Sequence, residues 1–268
     1  MGHTTAVVTS TVEADVQRFA AWQRDSLAAV PEGSEALDFG PFRALVTQPK
    51  SERPEAWVTL VDAGAVEAET RKALTRLKSA LKRRRAPLEI EYNETAFPQV
   101  GEWLKSGGLK LAETNPLMAC RPASFKPFAA PEVHLTQLVA TATAAELEAF
   151  QRIRWTDGGD VERDAPSAES LQAALASPAS VYLLAWIDWE PAGTGVSHSL
   201  NGAAEVVGVV TEKKARRRGV AATVTSELVR RHFDAGGDFV FLDAANDEAA
   251  RVYERLGFAR FGANLVWR

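Results

Sequence analysis

The stretch Ala204-Glu205-Val206-Val207-Gly208-Val209-Val210-Thr211 runs through Glu212-Lys213-Lys214-Ala215 into Arg216-Arg217-Arg218-Gly219-Val220-Ala221. It reads as an apolar strand that breaks into a basic, glycine-bearing turn and then opens a helix. The first turn of a helix carries N–H groups without helical acceptors and the positive end of the macrodipole, so a diphosphate placed there is hydrogen-bonded and charge-matched at once. Gly219 lets the backbone approach such a group closely. The turn therefore predicts a site for a phosphate-bearing ligand.

Working outward, the helix Gly219 to Phe233 keeps Val220, Val224 and Leu228 on one stripe and stops at Gly236-Gly237. Asp238 to Leu242 is apolar on both faces, as a central strand of a covered sheet is. Asn246 caps a last helix whose Ala249, Val252, Tyr253 and Leu256 share a face, and Gly257 ends it before a final strand pair from Phe258 to Arg268. Upstream, Val133 to Leu138 and Val181 to Trp189 read as strands, Ala144 to Trp155 and Ala168 to Leu175 as helices, and Gly193-Thr194-Gly195 as part of a hairpin. Arg121 to Glu132, with Pro122, Pro127 and Pro131, has no period and reads as a linker. It predicts one domain over residues 1–125 and another over 126–268. In the first, Val16 to Val30 reads as a helix, Ala36 to Val46 and Ala56 to Val61 as strands, and Ala68 to Arg85 as a long helix with Leu74, Leu77 and Leu81 on one face. Strand, helix and strand close that half.

The expected fold is therefore α/β, a mixed central sheet flanked by helices. A duplication is also indicated: with an offset of 149, Ala96 to Leu109 aligns with the later helix end, placing Gly108 on Gly257 and Leu109 on Phe258. At that offset Leu104 falls on Tyr253, and no glycine turn like Arg216 to Ala221 occurs near Val66 to Lys72. The first half is expected to be a degenerate copy that helps wall a substrate pocket.

A formal charge of −4 over 268 residues gives no general basic field, so nucleic-acid binding is not expected. One cysteine, Cys120, and four scattered histidines make no metal-ligand spacing. No uncharged apolar run reaches membrane-spanning length, and the start lacks a leader pattern. A metal-free cytoplasmic protein is the expectation. The run Lys82-Arg83-Arg84-Arg85 complements the C-terminal dipole of its helix.

Two separated signatures make the second half resemble the GNAT superfamily of acyl-CoA-dependent N-acyltransferases. One is Arg216-x-x-Gly219-x-Ala221 directly after the strand; the other is Asn246 followed seven residues later by Tyr253, ahead of Gly257-Phe258. The resemblance covers roughly Pro131 to Arg268, and Lys213 stands where many members have proline. It implies acetyl-CoA as co-substrate, with the amides of Arg216, Arg217, Arg218, Gly219, Val220 and Ala221 on its diphosphate. The pantetheine arm would then lie along Val209, Val210 and Thr211, with Asn246 facing it. It further implies Tyr253 beside the thioester sulfur and an amine acceptor, a small molecule or a peptide.

A protonated amine cannot attack a thioester, so a base is needed, and the departing thiolate needs a proton donor such as a phenol. Glu205 lies eleven residues before Arg216, on the strand face expected to carry Val207, Val209 and Thr211. Burial by valines would raise its pKa and suit it as the base; the other reading is a solvated residue near a strand's start. Tyr253 is the expected acid, and a half-buried packing aromatic is its plainer reading. Arg152, Arg154 and Trp155 fall where the resemblance puts acceptor-binding helices. The expected activity is direct acetyl transfer from acetyl-CoA to an amine; a non-catalytic acyl-CoA sensor on the same fold is the alternative.

Overall fold

A computed structural model describes residues 3–28, 30, 33–47, 54–62, 64–156 and 168–268. The chain divides into two compact units, Met1–Leu117 with Phe261–Arg268, and Met118–Arg260. The sequence placed the division at 125/126 and gave the whole C-terminus to the second half. Instead the last eight residues belong with the first unit, and residues 121–132 lie inside the second.

The first unit holds α1 (His3–Ala28), β1 (Ser34–Phe39), β2 (Phe42–Thr47), β3 (Glu55–Leu60), α2 (Glu67–Arg84), β4 (Ile90–Asn93), α3 (Val100–Ser106) and most of β5 (Leu111–Cys120). The single strand expected over Ala36 to Val46 is two, paired antiparallel from Phe39↔Phe42 outward, because Gly40, at φ +57, turns the chain back. The first helix begins far earlier than Val16. β3 lies antiparallel to β2 and parallel to β4. Leu74, Leu77 and Leu81 of α2 are buried in a core with Phe42, Val58, Ile90, Tyr92 and Leu104. Arg84, in the basic run at the end of α2, forks onto both carboxylate oxygens of Glu35 at 2.7 Å.

The second unit continues with β6 (His134–Leu138), α4 (Ala144–Trp155), α5 (Ala168–Leu175), β7 (Ser180–Ile187), β8 (Glu190–Leu200), β9 (Ala203–Thr211), a short 3-10 turn (Lys213–Ala215), α6 (Val220–Asp234), β10 (Phe239–Asp243) and α7 (Asp247–Arg255); β11 (Ala259–Trp267) follows, its residues from Phe261 on belonging to the first unit. β6 to β9 form an antiparallel meander, and β10 pairs parallel with β9. The expected final strand pair is one strand, β11, which pairs antiparallel with β4 through Asn264 to Trp267. α4 starts where Thr143 and Glu146 close a reciprocal capping box.

Two hydrophobic clusters cover the two faces of the second unit's sheet. Val220, Val224 and Leu228 of α6 pack with Ala204, Val206, Val240 and Leu242. Leu147, Phe150 and Ile153 of α4 pack with Leu184 and Val196, against which Val207 and Val210 also lie. Gly193 and Gly195 sit in β8 beneath α6: a Cβ on either would strike Val220 or Val224. Their smallness lets helix and strand approach closely.

Candidate active site

The β9–β10 ladder is short. Its pairs are Phe239↔Ala203, Val240↔Ala204 and Phe241↔Glu205, yet β9 runs on to Thr211. Beyond Glu205 no ladder joins the two strands, so among the described residues the β10-facing edge of Val206 to Thr211 has no strand along it. A slot with one strand's backbone groups on its wall is left open, and backbone groups of that kind seek a partner.

Gly208 sits in the middle of this edge at φ +59, and the β8–β9 register slips between Thr194↔Val210 and Val196↔Val207. The slip is a β-bulge, which places an extra residue on β9. A Cβ at Gly208 would run into the Arg154 guanidinium, so glycine is needed both for the conformation and for the space. The bulge corrects the expected alternation of faces. Glu205 and Val207 share one face, that of α4, but after the bulge Val210 continues it while Val209 packs on the α6 side. Thr211 pairs with Gly193, whose Cβ direction points at Val220, so it too lies on the α6 side.

Glu205 is half-buried, at the last rung before the slot. On its other flank it pairs with His198, which hydrogen-bonds through Nδ1 to Ser180 Oγ at 2.8 Å and meets Tyr182 edge to face. Burial holds the His198 imidazole below its ordinary pKa, and the nearby Arg154 charge pushes the same way. Arg154 lies over the Trp155 ring, 5.2 Å from its centroid. Arg152 instead pairs with the buried Glu212 just past the end of β9, fixing α4 to the strand's exit.

Tyr253 comes from the opposite side. It is 8% exposed within the α6-facing cluster and packs on Phe258. Burial alone pushes its phenol up to about 12, and its hydroxyl makes no hydrogen bond among the described residues. Asn246 is exposed and caps α7, its Oδ1 accepting from Ala249 N at 2.9 Å.

The arginine turn has the conformation of an anion cradle. Arg216 is extended, Arg217 is left-handed at φ +63, and Gly219 is left-handed at φ +78 at the N-cap of α6, with no side chain capping it. The opening amides of α6, from Val220 and Ala221 onward, thus lack an acceptor from a capping side chain. Arg216 reaches back to the Thr211 carbonyl, and Arg218 stands 3.6 Å from Asp188 and 3.9 Å from Glu132. Sequence reasoning missed what walls this turn. Residues 128–130, read as a linker, are stitched to α6: Phe128 N donates to Ser226 Oγ at 2.8 Å, and Ala130 N to Thr223 Oγ1 at 2.9 Å. A Cβ on Gly219 would meet Ala130 at 3.0 Å and Phe128 at 3.2 Å. The buried hydroxyls of Thr223 and Ser226 were the available signal.

Among the described residues no cluster of His, Cys, Asp and Glu can hold a metal, and no helix is long and apolar enough to cross a membrane. Residues 147–258 match the model of the acetyltransferase (GNAT) family. The chain is similar to a GCN5-related N-acetyltransferase from Kribbella flavida, with TM-score 0.72, 25% identity and 93% of each chain covered. A GCN5-related N-acetyltransferase from Sphaerobacter thermophilus shares the fold with TM-score 0.63 and 15% identity, over 85% of this chain and 76% of that one. A tandem GNAT protein from the clavulanic acid biosynthesis pathway shares it with TM-score 0.61 and 12% identity, over 90% and 85%. No curated protein matches.

Proposed function

We propose, from the match of residues 147–258 to the acetyltransferase (GNAT) family model, that the protein moves an acetyl group from acetyl-CoA directly to an amine. The observation that carries this is the slot beyond Glu205, since it leads along Val206 to Thr211 straight to the arginine turn. The residues present fit the donor. The uncapped start of α6 suits a diphosphate, and the open edge of β9 suits an arm of alternating amides that bonds as an added strand. Asn246 stands at the N-cap of α7, near the arm's path in this reading.

In this reading Glu205 and Tyr253, which stand on opposite faces of the sheet, act on the reactants from the two sides of the slot. Glu205 takes a proton from the acceptor ammonium; the freed nitrogen attacks the thioester carbonyl, the C–N bond forms and the C–S bond breaks. The electron pair leaves on sulfur beside the Tyr253 hydroxyl, and the second proton that the nitrogen sheds as the amide forms ends on that sulfur, giving the free thiol. A phenol held near 12 is a weaker acid than an ordinary tyrosine at about 10. It therefore serves first as an always-protonated hydrogen-bond donor to the developing thiolate, whose own basicity rises in the same desolvated place. Holding both reactants in line supplies much of the acceleration, so no covalent enzyme intermediate is required. The first half, lacking the turn and the tyrosine, is read as a degenerate copy.

The test incubates the protein with acetyl-CoA and a panel of amino acids, small polyamines, aminoglycosides and peptides while thiol release is followed. Acceptor-dependent release is expected, and Tyr253→Phe should lower it about 10- to 100-fold with CoA affinity intact. Heat of CoA binding without thiol release from any amine would leave a sensor instead of an enzyme, and no heat at all would remove the site.

A further inference from the structure

The tip of the β7–β8 hairpin is built against the usual rules. Asp188 and Trp189 form a two-residue turn between Ile187 and Glu190, both left-handed, at φ +52 and +65. Such turns favour Asn-Gly, and the same molecule obeys that preference at its next hairpin, where Asn201 and Gly202 sit at φ +50 and +75. A bulky side chain in this region is an outlier, and an outlier held in place is a pointer to function. Trp189 is also 92% exposed, against 53% or less for every other exposed large hydrophobic among the described residues.

Its neighbours fix where this ring stands. Asp188 reaches Arg218 at 3.6 Å and Glu190 reaches Lys214 at 3.4 Å, so the residues on both sides of Trp189 are tied to the arginine turn. The His134 ring from β6 lies nearly parallel to the indole, at 17° with centroids 6.5 Å apart, and leaves most of it open. A flat, electron-rich ring is thus presented beside the cradle at the start of α6.

We propose that Trp189 is the stacking platform for the purine ring of the donor coenzyme, whose diphosphate sits in the Arg216–Ala221 turn. The inference rests on the acetyl-CoA reading above and adds the residue that recognises the nucleotide end. Aromatic stacking suits a base that is otherwise bathed in solvent, because it needs no buried polar partner.

The experiment titrates wild type and the Trp189→Gly, Trp189→Ala and Trp189→Phe variants with coenzyme A and with 4′-phosphopantetheine, which lacks the nucleoside. Trp189→Gly and Trp189→Ala should weaken coenzyme A about tenfold, with Trp189→Phe within about threefold of wild type. Binding of 4′-phosphopantetheine should be the same in all four. Because glycine relieves the left-handed backbone, Trp189→Gly should melt no lower than wild type, which separates ligand recognition from a structural role. Unchanged coenzyme A affinity in Trp189→Gly, an equal loss for both ligands, or a fall in melting temperature would each overturn the platform while leaving the donor site standing. A wild type that binds neither ligand would overturn both.

Discussion

From β1 and again from β7 the chain runs through the same order of elements, three antiparallel strands followed by helix, strand, helix and strand, yet the two runs open the equivalent helix in opposite ways. α2 begins after Val66 with Glu67 and Glu69 in its first turn, whereas α6 begins at left-handed Gly219 with no acid there. Acids in a first turn complement the dipole and occupy the place an anion would take. The strands before them differ too. β3 stops one residue past its last rung with β4, at Leu60, while β9 continues six residues past its last rung with β10, Val206 to Thr211. Beside that rung in the first unit, Gln23 of α1 reaches Thr59 at 3.4 Å. The downstream helices nevertheless end identically. Leu109 N bonds to Leu104 O and Phe258 N to Tyr253 O, both at 3.1 Å, around Gly108 at φ +85 and Gly257 at φ +93. The two runs thus share an element order and differ in helix-start charge, in strand length and in the side chain at Leu104 or Tyr253.

The sharpest way to break that contrast is to import the first unit's acidity. Ala221→Glu should weaken acetyl-CoA by at least about a hundredfold through repulsion of the diphosphate, while the fold holds or gains up to about 1 kcal/mol from the dipole. Retained affinity, measured by calorimetry, would separate the helix start from the donor. Next in size, Glu205→Gln should lower turnover about a hundredfold at neutral pH with donor affinity kept. Equal turnover in steady-state kinetics would return Glu205 to the role of a solvated strand residue.

An alkaline titration sharpens the likeness of the two cores. Burial pushes Tyr92 in the first unit and Tyr253 in the second to about 12, and Cys120 to about 11. The unfolded chain gives up these protons first, so stability should start falling near the thiol's unfolded value, about pH 9, and steepen above about pH 10. Each tyrosine then contributes a slope of about 1.4 kcal/mol per pH unit up to about pH 12. Denaturant melts should show Tyr253→Phe with a shallower decline; an unaltered slope would mean that the phenol is solvated. The smallest effect on activity is expected from Leu104→Tyr, which restores the missing phenol to the first half. It should give no new transfer activity and cost about 1–3 kcal/mol by overpacking a fully buried site.

The sequence made most of the second unit readable because its punctuation is local. The Thr143–Glu146 box, the Asn246 cap and Gly257 each mark an element end within a few residues, and α4 and α5 fall where their periods put them. What escaped depends on one-residue shifts or distant partners. Gly208 inside an apolar strand is itself the mark of a bulge, but the exchange of faces at Val209 and Thr211 that the bulge causes lies outside an alternation count. The turn at Gly40 carries a legible local signal, the Gly40-Pro41 pair, inside a stretch otherwise patterned as strand. Residues 128–130 look like spacer until Thr223 and Ser226, nearly a hundred positions later, are seen to hold them. Trp189 was read as the end of a strand, because nothing local reports a left-handed backbone under a tryptophan.

The chain's last eight residues belong to the unit formed by its beginning. On a ribosome, therefore, the leading half waits with the β4 edge unfilled until residues 261–268 have emerged, and the first unit cannot be excised as one continuous fragment without leaving a strand behind. A polypeptide halted after Arg260 should be far more sensitive to protease in its first hundred residues than one that includes Phe261–Arg268, and equal resistance would argue that the early half matures unaided.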